Sequence, residues 1–507
     1  MATVYTPLAS SWRGQGNEQP THPPATTTTS PRCSNGKNKT TKFFGSQIGG
    51  RSVINYSYTD MPWKLMGWDL LYFFKYLYAF PYIVWPITPT DSGDLSELSL
   101  TRGNIFSISM HLLLLILQLL FIFGLLPVVF FLPVWTAIVL IALFILLNYG
   151  LCLLLNGGTQ VEHHSSPEYA PRLEQHAKEQ WIYINGICAG EHWLQSNLNR
   201  LAATFKRPIL GIHNKTSGLI FDVLEVLIQR NWGYATKDVR VCYRIIKEKL
   251  YDDQYDKVVF ILHSQGAVEG GMLLDWLLQE LPQDILGKLE VYTFGNAANH
   301  FNNPYMHKSG QGKAESDPLR AGTDSTLQGS AGPSGERSRS RGGEVEGGNA
   351  PSLQSLASSS NVAHPSVISD RVIGHIEHYA YTTDFVALWG VLHFATSKMA
   401  SDTLPRFIGR VFCRTSPRGG HQFVQHYLDG MFPLERDEET GELKGCDEDN
   451  EFMESEVVVA GCGLEEVYGV TATASRREGG EGEGVTMKVK QLSRLWGYRN
   501  GGSPETR

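Results

Sequence analysis

Hydrophobic and polar positions divide the chain into stretches of very different character. From Asn104 to Val161 there is no Asp, Glu, Lys or Arg. A membrane-spanning helix takes about 20 apolar residues, so this stretch holds two, near 105–126 and 134–155. Between them PVVFFLP, bounded by Pro127 and Pro133, predicts a tight turn. A helix pair in a water-soluble core would keep polar residues on its outer face, and almost none occur here. The pattern predicts a two-span transmembrane hairpin over 104–156, either crossing the bilayer twice or dipping into one leaflet. Just upstream, MPWKLMGWDLLYFFKYLYAFPYIVWPI (61–87) is aromatic and apolar with isolated charges. Trp and Tyr favour the headgroup level, so 61–103 reads as a juxtamembrane segment lying on the membrane. The competing reading is a helix packed on the soluble domain.

Beyond the hairpin the period changes. WIYINGI (181–187), RPILGIHN (207–214), KVVFIL (257–262), LEVYTFG (289–295), HIEHYAYTT (375–383) and RFIGRVFCR (406–414) are short β-prone runs. Helical spacing appears near 191–205, 216–230, 236–251 and 266–281. Strands alternating with amphipathic helices predict an α/β fold, a mostly parallel sheet covered by helices on both faces. The domain is expected in two parts, 157–308 and 371–434, because the Ser/Gly-rich stretch 309–370 between them cannot belong to a compact core. That insertion and residues 1–60, rich in Thr, Ser, Pro and Gly, are expected to be disordered. An acidic and Gly-rich tail is expected over 435–507.

Charge and cysteine usage narrow the function classes. A net charge of -7 with no clustered basic face argues against nucleic acid as a partner. The seven cysteines are scattered, with no CxxC pair and no Cys/His cluster at zinc spacing, so neither a disulfide framework nor a metal site is expected. Lys37, Lys39, Lys42 and Arg51 before the first span favour a cytosolic N-terminus. The lipid bilayer is the expected partner. An internal membrane, the endoplasmic reticulum or a lipid droplet, is the expected location, with the soluble domain cytosolic.

The candidate chemistry lies at Leu262-His263-Ser264-Gln265-Gly266. A serine nucleophile in an α/β-hydrolase sits on a sharp strand–turn–helix elbow, usually G-x-S-x-G. A strand-like run precedes Ser264, a helix follows, and the downstream small residue is kept, but Leu262 stands at the upstream small position. A serine hydroxyl needs a base, and the base a carboxylate to orient it. In this fold the acid and then the histidine follow the serine in chain order. Asp384, after HIEHYAYTT, and His421, in the loop after RFIGRVFCR, fit both order and topology. His426 is the alternative base. His375 and His378 point to opposite faces of a strand. Cys188 reads as a buried thiol rather than a nucleophile.

HSQG, VYTFGNAANHF, YTTDFVALWG and GGHQFVQHYLDGMF together resemble the α/β-hydrolase superfamily on its lipase-like side, with class 3 lipase-like features. The chain as a whole resembles a fungal membrane-anchored hydrolase-like protein of uncharacterised activity. The resemblance covers roughly 180–310 and 371–432. It implies Ser264 as nucleophile, Asp384 as acid and His421 as base. It also implies an oxyanion hole from the backbone N–H of Gln265 and a second one in INGICAG, at Ile187 or Cys188. The expected function is a membrane-anchored serine esterase or lipase without metal or organic cofactor, acting on a lipid or other acyl ester. A catalytically silent hydrolase fold serving as a membrane tether or interaction module is the alternative, and acyl transfer to an acceptor other than water a third reading.

Overall fold

The computed structural model describes residues 41–44, 61–87, 92–304, 306, 371–396, 407–437, 439, 443–446, 450–459 and 485–504. The expected disorder of 309–370, and of 1–60 apart from 41–44, lies outside these. An eight-stranded sheet is built from β1 (Thr41–Phe44), β2 (Glu162–His164), β3 (Glu179–Ile184), β4 (Ile209–Ile212), β5 (Lys257–His263), β6 (Leu289–Phe294), β7 (His375–Tyr381) and β8 (Arg410–Arg414). Their spatial order is β1-β8-β7-β6-β5-β3-β4-β2. The six inner strands are parallel, and the two edge strands β1 and β2 run antiparallel. Thr41–Phe44 thus contributes an edge strand from within the stretch expected to lack structure.

The inner strands are buried on both faces, which explains their near-continuous apolar runs. Period-two alternation sends Ile182, Ile184, Phe260 and Leu262 to one core and Trp181, Tyr183, Val259 and Ile261 to the other. The first core is covered by α5 (Leu219–Trp232), α6 (Lys237–Tyr251) and α7 (Gln265–Glu280), the second by α4 (Glu191–Phe205). The strand order reverses between β3 and β5, and such a switch point opens a crevice at the strands' carboxyl ends.

The C-terminal stretch differs from the expected tail. Val457, Val459, Leu492, Leu495, Trp496 and Tyr498 are buried in the second core. Glu290 of β6 accepts hydrogen bonds from Arg494 Nε (2.9 Å) and the Tyr498 hydroxyl (2.8 Å). A buried carboxylate needs such donors, and here the last described residues supply them.

The two apolar helices are α2 (Arg102–Phe131) and α3 (Val134–Leu155), each long and apolar enough to cross a membrane. The turn is tighter than expected: Pro127 lies inside α2, and only Leu132 and Pro133 break the helices. Upstream, α1 (Pro62–Tyr76) continues into a 3₁₀ strap over Leu77–Ile83. One side of this segment docks on the α/β domain, while the other is exposed. Asp69, the one buried residue of α1, makes a bidentate ion pair with Arg230 of α5 and accepts from Asn231 at 2.6 Å. Arg230 stacks at 3.7 Å on Trp389, whose indole N–H donates to the Asp69 carbonyl.

Candidate active site

The loops after β3, β5, β7 and β8 converge at the switch point. Ser264 follows β5 with φ 56° and ψ −120°, a strained conformation that projects a side chain from a sharp strand-to-helix turn. The turn is held by Ser264 N–H donating to the Phe294 carbonyl (3.0 Å) and by Ala267 N–H donating back to the Ser264 carbonyl (3.1 Å). Close packing explains the small residues. A Cβ on Gly266 would lie 2.9 Å from the Asn185 carbonyl oxygen, and one on Gly270 would strike the Leu262 side chain. Gly270 thus makes the room that a small residue at position 262 would otherwise provide.

Ser264, His421 and Asp384 are in line. Ser264 Oγ lies 3.0 Å from His421 Nε2, and His421 Nδ1 lies 3.0 Å from Asp384 Oδ2. Asp384 is fully buried; Val386 N–H donates to its Oδ1 at 2.7 Å and the Tyr427 hydroxyl to its Oδ2 at 2.6 Å. Burial alone would raise the carboxyl's pKa, but His421 and the donated hydrogen bonds outweigh it and hold Asp384 below the ordinary carboxylate range. His426 is placed elsewhere: its Nδ1 accepts from Gln422 N–H (2.9 Å) and its Nε2 donates to the Pro86 carbonyl (3.1 Å). Burial pushes its pKa down to about 4. It packs the turn that carries His421.

The two expected oxyanion regions fare differently. Gln265 opens α7, where the leading N–H groups have no intrahelical acceptor. Ile187 follows β3 and lines the same cavity as Ser264 and His421. Cys188 is excluded as a donor, because its N–H is taken by Asp222 Oδ2 at 3.0 Å. Asp222 also accepts from the Thr216 hydroxyl and Ser217 N–H, so it anchors the loop that carries Ile187. Burial drives the Cys188 thiol well above its ordinary pKa. Gly186 permits the closest approach: a Cβ there would sit 2.5 Å from Ser264 Cβ.

Three further residues support the triad. His263 stacks on His421, donates from Nε2 to the His421 carbonyl (2.9 Å), and is held neutral by burial, with its pKa near 3. Tyr427 supports Asp384 as described. Glu97 receives the N–H groups of Val424 (2.8 Å) and Gln425 (3.2 Å), fixing the π-helical turn Phe423–Leu428 behind His421. The strap adds its backbone, since His421 N–H donates to the Tyr82 carbonyl at 3.1 Å.

A cavity of about 560 Å³ opens at Ser264 between the strap, α1, α4 and α5. Its wall is mostly apolar, from residues such as Phe73, Ile83, Val223, Leu227 and Trp389, and among the described residues that line it there is no Lys or Arg. Behind α7, carboxylate oxygens of Glu225, Asp238 and Glu269 lie within 4.8 Å of one another, the grouping among the described residues that could hold a metal ion. Burial, with the neighbouring Asp238 and Glu225 carboxylates, raises the Glu269 carboxyl well above its ordinary pKa.

Comparison of the chain with protein-family models, with curated proteins and with solved structures found no match in any of the three.

Proposed function

We propose that this chain is a membrane-anchored serine hydrolase of the α/β-hydrolase type that cleaves an acyl ester. The observation that carries the reading is the strained Ser264 turn with His421 and Asp384 aligned behind it at 3.0 Å each. Ser264 Oγ attacks the ester carbonyl while His421 Nε2 takes its proton. Asp384 holds the imidazole through Nδ1 and stabilises the imidazolium. The backbone N–H groups of Gln265 and Ile187 receive the developing oxyanion. His421 then protonates the leaving alcohol, and an acyl-enzyme remains on Ser264. A water deprotonated by His421 releases the acid and restores the serine.

The cavity supports an apolar acyl chain. With no Lys or Arg in the wall and Glu97 within it, an uncharged ester such as an acylglycerol suits it better than one carrying a phosphate. The hairpin fits residence in an internal membrane, the endoplasmic reticulum or a lipid droplet, with the domain on the cytosolic side. The test is labelling by a fluorophosphonate probe of full-length protein in nanodiscs. Wild type is expected to label, Ser264→Ala not at all, and His421→Ala at a strongly reduced rate. Absence of labelling in folded wild-type protein would favour a silent fold acting as a tether.

A further inference from the structure

The helix α5 is inside-out for a domain surrounded by water. Its buried residues are Asp222, Val226, Gln229, Arg230 and Asn231, four of them polar. Its exposed ones include Leu224, Ile228 and Trp232, at 47%, 41% and 59%. α1 repeats the inversion: Asp69 is its buried residue, while Trp63 and Phe74 are 65% and 62% exposed. Polar side chains turned inward and apolar ones outward are what a hydrocarbon solvent selects. The two helices pack on each other through Asp69, Arg230 and Asn231, so their outer faces form one apolar surface. Lys64 and Lys75 stand towards the two ends of α1, where long side chains reach the headgroups.

The hairpin continues that surface. Gln118 of α2 donates to the Ser217 carbonyl (2.8 Å) and accepts from Ile220 N–H (3.1 Å), while Asn148 of α3 donates to the same carbonyl. The N-terminus of α5 is therefore tied to the hairpin part-way along it. Beyond these ties, Leu119–Phe131 and Val134–Leu147 extend only about 20 Å at 1.5 Å per residue, short of the roughly 30 Å of bilayer hydrocarbon. Before them, α2 exposes Ile105, Phe106, Ile108, Leu112, Leu113 and Ile116 alongside the α/β domain. Lipid that covers this stretch also reaches α5.

We infer that the outer face of α1, the strap and α5 is seated in the apolar layer of the leaflet that the hairpin enters, and that the cavity opens into that layer. Leu70, Phe80 and Val84 line the cavity and are also exposed on this face. The occupant of the face is lipid, and a lipid ester reaches Ser264 sideways from the leaflet without passing through water. The seating rests on the hairpin lying in a membrane, and the delivery route rests on the hydrolase reading.

The test uses full-length protein in phosphatidylcholine nanodiscs with spin labels at Leu224→Cys, Ile228→Cys or Phe74→Cys, in a background lacking Cys33, Cys188 and Cys462. Glu248→Cys on the outer side of α6 is the control. The first three labels are expected to collide with oxygen and to be shielded from a water-soluble nickel chelate about tenfold more than the control. Chelate access equal to the control would overturn the seating. Shielding from both reagents, or dipolar broadening between labels on two molecules, would also overturn it and assign the face to a protein partner or a second copy. For delivery, Leu224→Asp/Ile228→Asp is expected to lose turnover of a bilayer-resident diacylglycerol about tenfold or more while keeping that of a water-soluble short-chain ester. Equal loss on both, or on neither, would overturn lateral delivery. If wild-type protein turns over neither ester, the hydrolase reading fails while the spin-label result stands by itself.

Discussion

Tyr427→Phe isolates one donor at the buried acid. The phenol oxygen lies 2.6 Å from Asp384 Oδ2, the same oxygen that faces His421 Nδ1 at 3.0 Å, while Oδ1 keeps the Val386 N–H. The ring itself packs against His263, Phe294 and Tyr381, so Phe preserves volume and the change is confined to the hydroxyl. A hydrogen bond to a charged buried group is worth about 1.5–3 kcal/mol, and about 1.4 kcal/mol corresponds to one pKa unit. The donor stabilises the carboxylate, so its loss raises the proton affinity of Asp384 and strengthens its pull on an imidazolium at His421. The acid limb of the pH–rate profile is expected to move up by roughly 1–2 units. On the plateau above the acid limb the fluorophosphonate labelling rate should fall less than about tenfold. Asp384→Asn supplies the contrast, with an expected loss of about 10⁴ because the imidazole loses its orienting acceptor. An unmoved acid limb in Tyr427→Phe, together with Asp384→Asn within tenfold of wild type, would remove Asp384 from the triad.

Gly186→Ala places a methyl 2.5 Å from Ser264 Cβ and 3.1 Å from its Oγ; displacing the nucleophile by about 1 Å should cost roughly 100-fold in labelling rate, and wild-type labelling would refute the close approach. Glu97 is pushed up to about 7 by burial, against the two N–H groups that favour its anion. A raised carboxyl favours the folded state below its ordinary pKa and loses that contribution as pH rises. The stability of Glu97→Gln relative to wild type should therefore grow by up to about 3 kcal/mol between pH 4.5 and 7, read from denaturant midpoints in micelles; a constant difference would refute it. Asp69→Ala leaves Arg230 buried without its carboxylate and should cost about 3–5 kcal/mol, while Asp69→Leu/Arg230→Met should recover most of it. Thermal unfolding of the three proteins checks this, and a double variant no better than Asp69→Ala would count against it.

The chain order of Ser264, Asp384 and His421 was enough to bring them together on paper, because each follows a strand and parallel strands end on one side. The groups that support them were not legible. Tyr427 and Glu97 reach the site only once the turn after β8 folds against segments far away in sequence, and nothing in HYLDG or SELS marks either one. Cys188 could be separated from Ile187 only by locating Asp222, which resembles an ordinary first-turn acid of a helix until its carboxylate is seen to hold the neighbouring loop. The C-terminal stretch reads as a tail by composition, yet short apolar runs such as LSRLW and EVVV join α4 in covering one face of the sheet.

A subtler gap concerns the sign of amphipathicity. LIFDVLEVLIQRNW has polar and apolar sides, and helical periodicity detects the two sides without saying which one faces the solvent. In water the apolar side goes inward. Here Asp222, Gln229, Arg230 and Asn231 go inward, each hydrogen-bonded within the domain, and Leu224, Ile228 and Trp232 go outward. The inward polar groups are compensated by these hydrogen bonds, whereas three large apolar side chains facing water forfeit burial energy, so the outer face favours an apolar medium. The 58-residue stretch free of Asp, Glu, Lys and Arg and the aromatic segment 61–87 were the cues in the chain to the local solvent. If lipid covers this face, as inferred above, α5 is a wall between that lipid and the candidate catalytic serine.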